Sequence, residues 1–470
     1  MKPLTIRQVR QVVGGKALSP IAADAPLVQA VCTDTRRMDR GSLFIALRGD
    51  NHNAHAFLPQ AAAGGAVAAL VEEPPAQSLP NVTVIQVPDT RLAMGKLANY
   101  CRQQMRAKVI AVAGSNGKTS TKHLIDAALF GKLRGSISPK SFNNDIGVPL
   151  TIFPADPAQD YVVLEMGTNH HGELRVLSDM ATPDIAVITN CGADHLEFLG
   201  DLRGVRQENA SIISGLNPGG LLVVNGDDPE LLAAVKDYPG KRITFGFGPT
   251  NDLFATDIHC DETGTRFSLN NSRREVFVPM LGRHSACNAL AAIAVARKMG
   301  VAEDLAIQTL ADARGAEMRL QWQPGAGNVR VLNDAYNANP NSMRAAIETA
   351  ALLPHAGRRI AILGDMKELG QSGERYHREI GQCVAEAKKF DMLICVGTLA
   401  GLMADAALAA GVTNESVFRF SDSMAAAEAV PRMLHEGDLV LLKASRSVHL
   451  EEIAKALSGR DETPLRAVAS

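Results

Sequence analysis

Aromatic residues are scarce in this 470-residue chain: one Trp, five Tyr and fourteen Phe, 4% in all. That leaves little from which to build a base-stacking platform for single-stranded nucleic acid. A net basic charge is missing as well. Forty-eight Lys and Arg stand against fifty Asp and Glu, a formal charge of −2, and the pI is near 6.6. Nucleic-acid proteins carry a basic stripe instead, so no nucleic-acid partner is expected. Cysteine is sparse and unpatterned: Cys32, Cys101, Cys191, Cys260, Cys287, Cys383 and Cys395 are odd in number and never spaced Cys-x-x-Cys. This argues against a disulfide frame or zinc site and for reduced thiols in a cytoplasmic protein. Long hydrophobic runs are absent. Met1–Arg10 has no apolar core of signal-peptide length, and Gln60–Val71 is too short for a membrane span and is interrupted by Gly64-Gly65. No membrane insertion is expected.

What is present is ample core material, 46% hydrophobic residues, over a length that predicts about three domains. The chain is organised around Val109–Lys122, Val-Ile-Ala-Val-Ala-Gly-Ser-Asn-Gly-Lys-Thr-Ser-Thr-Lys. A β-branched run ends in a small-residue turn, and Gly117-Lys118-Thr119 then opens an amphipathic segment. Strand, phosphate-cradling loop and helix is the order a P-loop needs. Glycines let backbone N–H groups converge on an anion, Lys118 reaches the outer phosphates, and Thr119 offers a hydroxyl to Mg²⁺. The full pattern asks for Gly five residues before Gly117, where Val112 stands. The loop is a shortened P-loop.

Residues 1-105 carry no nucleotide signature. Helical spacing over Ile6–Val13, His55–Ala63 and Thr90–Met105 alternates there with strand-like Gly41–Leu47, Ala66–Val71 and Val82–Val87. Residues 106-319 alternate regularly: strands Tyr161–Glu165, Asp184–Thr189, Leu221–Asn225 and Ile243–Phe245 follow the P-loop strand, which predicts a mainly parallel sheet. Asp252–Cys260, Thr265–Leu269 and Glu275–Pro279 then read as short antiparallel strands, before a helix from His284 to Met299 stopped by Gly300. Residues 320-470 form a third α/β unit with strands Val329–Leu332, Arg359–Leu363, Met392–Val396, Val417–Phe420 and Asp438–Leu442. The tail after Ser458 reads as short and frayed. The fold class is therefore α/β, in three domains.

Mg²⁺ beside a nucleotide calls for hard oxygen ligands. Glu165 ends a continuously apolar strand and suits that role. His195, in Asp194-His195-Leu196-Glu197, is as often structural as functional. Asn143 and Asn144 serve equally as substrate-orienting amides or as turn formers. Asp34, Thr35 and Arg36 form a polar cluster before a strand, or a solvated turn. Asp334 fits a ribose or metal-phosphate contact, or a plain loop before capping Asn339 and Pro340. Lys443, Ser445 and Arg446 bring two cations and a hydroxyl suited to a carboxylate-bearing substrate, or form a solvated basic turn.

Taken in order, these stretches resemble the Mur ligase family over nearly the whole chain. The resemblance rests on Thr33-Asp34-Thr35-Arg36, Gly114–Thr119, Asn143–Pro149, Glu165-Met166-Gly167, Asp194–Glu197, His284 with Asn288, Arg319, Asp334–Pro340 and Gly364–Gly370. The last two favour the branch that joins D-Ala-D-Ala to a UDP-MurNAc-tripeptide. The shortened P-loop is the family's own form. The resemblance implies a UDP-sugar-substrate domain over 1-105, a central ATP-binding domain with a P-loop-type, mainly parallel sheet over 106-319, and a C-terminal Rossmann-like ligase domain over 320-470. It implies that Gly114, Ser115, Asn116, Gly117, Lys118, Thr119 and Ser120 cradle ATP, with Thr119, Glu165 and His195 on metal. Asn288 would meet adenine, Arg319 the γ-phosphate and Asp334 the ribose or phosphates. Lys118, His195 and Arg319 would be catalytic. Asp34, Thr35, Arg36, Asn143, Asn144, Tyr336, Asn337, Asn339, Lys443, Ser445 and Arg446 would face the two substrates.

The expected reaction is amide-bond formation through an acyl phosphate, with ATP and Mg²⁺, in peptidoglycan precursor synthesis by a cytoplasmic monomer. A sibling that adds the third residue, a folylpolyglutamate synthase, and a non-catalytic nucleotide-binding protein are the alternatives. One departure from the family stands out. Its carbamylated lysine is missing here: Asp201–Ile213 contains no Lys, and Asn209 takes that place beside Glu208. Glu208 is then either a substitute carboxylate for metal or a surface helical residue. The family's Ala-His is Asp194-His195 here, and its Lys-Gly-Ser-Arg is Lys443-Ala444-Ser445-Arg446.

Overall fold

The computed structural model describes residues 1–49, 52–272 and 274–458; the tail expected to fray after Ser458 lies outside them. Three sheets follow one another along the chain. The first has five strands in the order Lys16–Ala17, Thr83–Gln86, Ala66–Val71, Ser42–Ile45, Ala30–Cys32. It is parallel except for Lys16–Ala17, which runs antiparallel on the edge.

The second sheet has nine strands. From Gly135–Ile137 it passes through Tyr161–Glu165, the P-loop strand Lys108–Ala113, Ile185–Ile188, Leu221–Asn225, Lys241–Gly246 and Leu253–Asp261, all parallel. Gly264–Leu269 and Glu275–Val278 complete it antiparallel. Val109, Ile110, Ala111 and Val112 are each fully buried, as strands covered by helices on both faces must be. The third sheet runs Gln321–Pro324, Arg330–Asn333, Leu439–Lys443, Arg359–Gly364, Met392–Val396, Val417–Phe420 and is parallel except at its first pairing.

The expected mixed α/β architecture, a mainly parallel central sheet and a Rossmann-like third unit, is what the chain adopts. Two elements differ. Gln321–Pro324 is an edge strand without alternating apolar residues, and Pro324 is tolerated because an edge position needs no donor there. The helix expected over His55–Ala63 divides into a 3₁₀ turn, Ala54–Phe57, and an α-helix, Leu58–Ala63. Pro59 near the start of that α-helix has no N–H to continue the preceding turn.

The units are not separate beads. One hydrophobic core joins the first sheet to one face of the second: Leu43, Ile45 and Leu97 share it with Val109, Leu164 and Ile188. Asp184 strengthens that junction, accepting from Arg102 at 2.7 Å, Lys108 at 2.8 Å and the Val109 amide at 3.0 Å. A second core joins Ala193, Leu196 and Leu281 of the central unit to Leu332, Met343 and Met366 of the third. The third sheet thereby sits with the carboxyl ends of its strands toward the P-loop.

Candidate active site

The P-loop strand ends at Ala113, and the chain turns through Gly114 at φ +131° and Gly117 at φ +79°. Only glycine fits either place. A Cβ on Gly114 would lie 2.0 Å from Thr189 Oγ1, and one on Gly117 would lie 2.6 Å from Asn288 Oδ1. The helix Lys118–Phe130 begins with no side-chain cap, which leaves its first N–H groups for an anion. The next strand end holds the loop in shape. Asn190 accepts from the Asn116 amide at 3.1 Å and donates to the Asn116 carbonyl at 2.9 Å, and Thr189 donates to that carbonyl at 2.6 Å. Lys118 Nζ donates to the Gly114 and Ser115 carbonyls, at 2.6 and 3.3 Å.

Glu165 is buried beside this loop. Its Oε1 accepts from Asn143 Nδ2 at 3.1 Å, and its Oε2 from Lys122 Nζ at 3.1 Å. Lys122 was not among the expected site residues, although it follows Lys118 by four on one helix and so shares its face. That spacing was the available signal. Burial draws its pKa below the usual lysine value, against the pull of Glu165. Asn144 does form a turn, its Oδ1 accepting from the Gly147 amide at 2.8 Å.

The third unit meets the P-loop directly. Asn339 Nδ2 donates to Asn116 Oδ1 at 3.0 Å, and Asn341 Oδ1 accepts from the Ala193 amide at 3.1 Å. Tyr336 donates to Ser141 at 2.7 Å, while the Arg319 guanidinium lies 4.2 Å over the Tyr336 ring. Glu368 reaches His195: its Oε2 is 2.5 Å from Nδ1, and its carbonyl accepts from the Glu197 amide at 3.1 Å. Burial opposes charge on His195, but Glu368 and Asp194 outweigh it and its pKa is raised. Glu368 belongs to the Gly364–Gly370 stretch, and its contact with His195 runs over 173 residues of chain, for which the sequence carries no local signal.

Between these parts lies a cavity of about 800 Å³ whose wall includes Lys118, Thr119, Glu165, His195 and Arg319. Asn143, Asn144, Tyr336, Asn337, Asn339, Ser445 and Arg446 also line it. A second cavity of about 230 Å³ adjoins it at Asn116, Gly117, Thr119 and Ser120, and reaches Asn288, Asp334 and Lys443. Asn288 is buried, and its Nδ2 has no partner among the described residues. His284 stands on this wall too, its pKa lowered by burial despite Asp334.

Three expected groups do not line the larger cavity. Asp34, Thr35 and Arg36 form a 3₁₀ turn in the first unit and line neither cavity. Arg36 donates to Asp34 at 2.7 Å and holds that carboxyl down at about 2. Lys443 is buried and does not face an open carboxylate site: it donates to Asp334 at 2.5 Å and to the Asn337 carbonyl at 3.1 Å. Glu208 is neither a surface residue nor a free carboxylate. It accepts from the Gly172 amide at 2.7 Å, the Leu174 amide at 2.8 Å and Thr168 Oγ1 at 2.9 Å, capping the helix Glu173–Ala181. Asn209 is buried and donates to the Val205 carbonyl at 2.9 Å.

The chain is similar to known proteins in sequence and fold. Residues 112–296 match the Mur ligase middle domain, and residues 318–446 match the Mur ligase, glutamate ligase domain. The UDP-N-acetylmuramoyl-tripeptide--D-alanyl-D-alanine ligase of Bacillus subtilis is 37% identical over 461 residues, covering 98% of this chain and 99% of its own. The crystal structure of MurF from Acinetobacter baumannii superposes with a TM-score of 0.88 at 30% identity, over 98% of this chain and 100% of that one. MurF ligase from Thermotoga maritima, solved in complex with ADP, gives 0.80 at 26% identity, over 92% and 97%.

Proposed function

Because this chain belongs to the Mur ligase family, we propose that its two adjoining cavities join D-Ala-D-Ala to a UDP-MurNAc-tripeptide at the cost of ATP. The carrying observation is the seam itself. A glycine-rich anion loop on one unit is hydrogen-bonded to a polar loop on another, with cations and a buried carboxylate around the space between.

ATP fits the residues present. The uncapped helix start at Gly117 suits its phosphates, and the unpartnered amide of Asn288 suits the polar edge of its base. Thr119 and Glu165 are hard oxygen donors that suit Mg²⁺, with His195 on the same wall. Bound there, Mg²⁺ would supply positive charge to the phosphate oxygens.

The tripeptide carboxylate attacks the γ-phosphorus of ATP, the bond to the bridging oxygen breaks, and ADP leaves with that electron pair. The resulting acyl phosphate has the electrophilic carbon that a carboxylate lacks at neutral pH. The dipeptide amine attacks it, loses a proton, and inorganic phosphate departs from the tetrahedral intermediate. Lys118 and Arg319 offset charge spreading over the transferring group. Tyr336, braced on Ser141, holds Arg319 by its ring. Contact between the units keeps water from the acyl phosphate.

This reading places the chain in cytoplasmic peptidoglycan precursor synthesis as a monomer, and so in cell-wall biogenesis, cell shape and division. Asp34, Thr35 and Arg36 then face the UDP sugar, and Asn143, Asn144, Asn337, Asn339, Ser445 and Arg446 the peptide parts. A panel of amino-acid and dipeptide acceptors, assayed for phosphate release, tests it. Turnover confined to single amino acids would favour a sibling ligase instead.

A further inference from the structure

Lys122 carries an ammonium that is fully buried, and all three of its donors are committed. They go to the Ser138 carbonyl at 3.0 Å, the Lys140 carbonyl at 2.5 Å and Glu165 Oε2 at 3.1 Å. The three acceptors come from two segments. Ser138 and Lys140 begin the loop that carries Ser141 and Asn143, and Glu165 ends the neighbouring strand. Lys122 itself sits one turn beyond Lys118 on the P-loop helix. The same loop closes on Glu165 from the other side: Asn143 Nδ2 donates to Oε1, and the Glu165 amide donates to Ser138 Oγ, at 3.1 Å each.

A carboxylate has about four lone-pair directions, two on each oxygen. Lys122 and Asn143 take one on each oxygen of Glu165, which leaves a direction on each oxygen, and Glu165 lines the larger cavity. A carboxylate with only one such restraint could swing away from the nucleotide. Held at both oxygens, it presents a fixed edge.

We propose that Lys122 is a positioning residue, which aims the Glu165 carboxylate and registers the Ser138–Asn144 loop against the P-loop helix. The inference rests on the reading of Glu165 as a ligand for the nucleotide's cation. Lys122 lines neither cavity and acts through Glu165.

The test compares AMP-PNP affinity in Mg²⁺ with that in EDTA, by calorimetry on the full chain. The ratio isolates what the cation contributes, and a general loosening of the P-loop lowers both affinities without moving it. Lys122→Met should reduce the ratio about tenfold, as should Glu165→Gln, and the double variant should fall no further than Glu165→Gln alone. An unchanged ratio in Lys122→Met overturns the proposal, as does a full extra loss in the Glu165→Gln background. An unchanged ratio in Glu165→Gln alone overturns the cation reading, and the proposal with it. Should Lys122→Met not fold, its rescue by Glu165→Gln supports the pairing, because the buried unpaired charge is then gone. Failure of that rescue assigns Lys122 to the fold and overturns the proposal.

Discussion

Asn339 Nδ2 donates to Asn116 Oδ1 at 3.0 Å, a bond that joins the C-terminal unit to the P-loop across 223 residues of chain. The same side chain caps the helix Pro340–Leu352: its Oδ1 accepts from the Ser342 amide at 2.9 Å. The two duties use different atoms and can be separated. Asn339→Asp keeps the cap and loses the donor, so thermal stability should hold while kcat falls about tenfold, the equivalent of one hydrogen bond of about 1.4 kcal/mol. Asn339→Ala should lose activity and also about 1 kcal/mol of stability. Equal kcat in Asn339→Asp and the parent would show that the bond plays no part in closure.

Lys118 is half-buried, and its ammonium lies against the P-loop carbonyls of Gly114 and Ser115. Lys118→Ala should therefore leave the circular dichroism spectrum and Tm intact. ATP-dependent turnover should drop by at least about 10³-fold, because the cation offsets charge that grows in the transition state. Near-normal product formation would contradict the mechanism.

Glu208 stands beside Asn209, the position where the family resemblance implies a modified lysine, yet its oxygens accept from the start of the helix Glu173–Ala181. Glu208→Ala leaves the Gly172 and Leu174 amides without their acceptor, while Thr168 Oγ1 keeps the His170 carbonyl at 2.9 Å. Chemical denaturation should show a loss of about 2–4 kcal/mol. The Mg²⁺ concentration for half-maximal activity should stay where it is. A shift in that concentration without a loss of stability would return Glu208 to the metal site.

Asp184 fastens the first unit to the central sheet. Burial works against its charge, but Lys108, the Val109 amide and Arg102 prevail, and its pKa is lowered from the ordinary 3.8. A carboxyl lowered by folding contributes stability that is present above the unfolded pKa and is lost as pH falls through the folded one. Asp184→Asn should thus cost about 2–3 kcal/mol at neutral pH. The gap between variant and parent should narrow below about pH 4. A gap independent of pH would mean that shape, not charge, is what Asp184 supplies.

Much of this is legible in the amino-acid sequence, for a physical reason. Strands buried on both faces leave unbroken apolar runs, so Ala66–Val71, Tyr161–Glu165 and Met392–Val396 end where the sequence stops being apolar. The anion loop is a local pattern, and Gly114 and Gly117 stand where Thr189 and Asn288 crowd the backbone. Gln321–Pro324 escaped because an edge strand needs no apolar alternation. The burial of Lys443 and the pairings of Glu368 and Lys122 escaped because their partners come from distant segments. Charge on a side chain reads as exposure until its partner is known. For Glu208, both meanings open in the sequence, surface residue and metal carboxylate, gave way to a third: a helix cap supplied from another helix.

The central claim is that the seam between P-loop and C-terminal unit joins a dipeptide to a nucleotide-linked tripeptide. Steady-state phosphate release and product formation should be measured with UDP-MurNAc-tripeptide, ATP and Mg²⁺, with D-Ala-D-Ala as acceptor. Tripeptides ending in meso-diaminopimelate and in L-lysine should both be offered. One phosphate released per pentapeptide formed, with at least one tripeptide and only when D-Ala-D-Ala is present, is the predicted result. No ADP formed with either tripeptide, or turnover sustained by a single amino acid in place of the dipeptide, would contradict it.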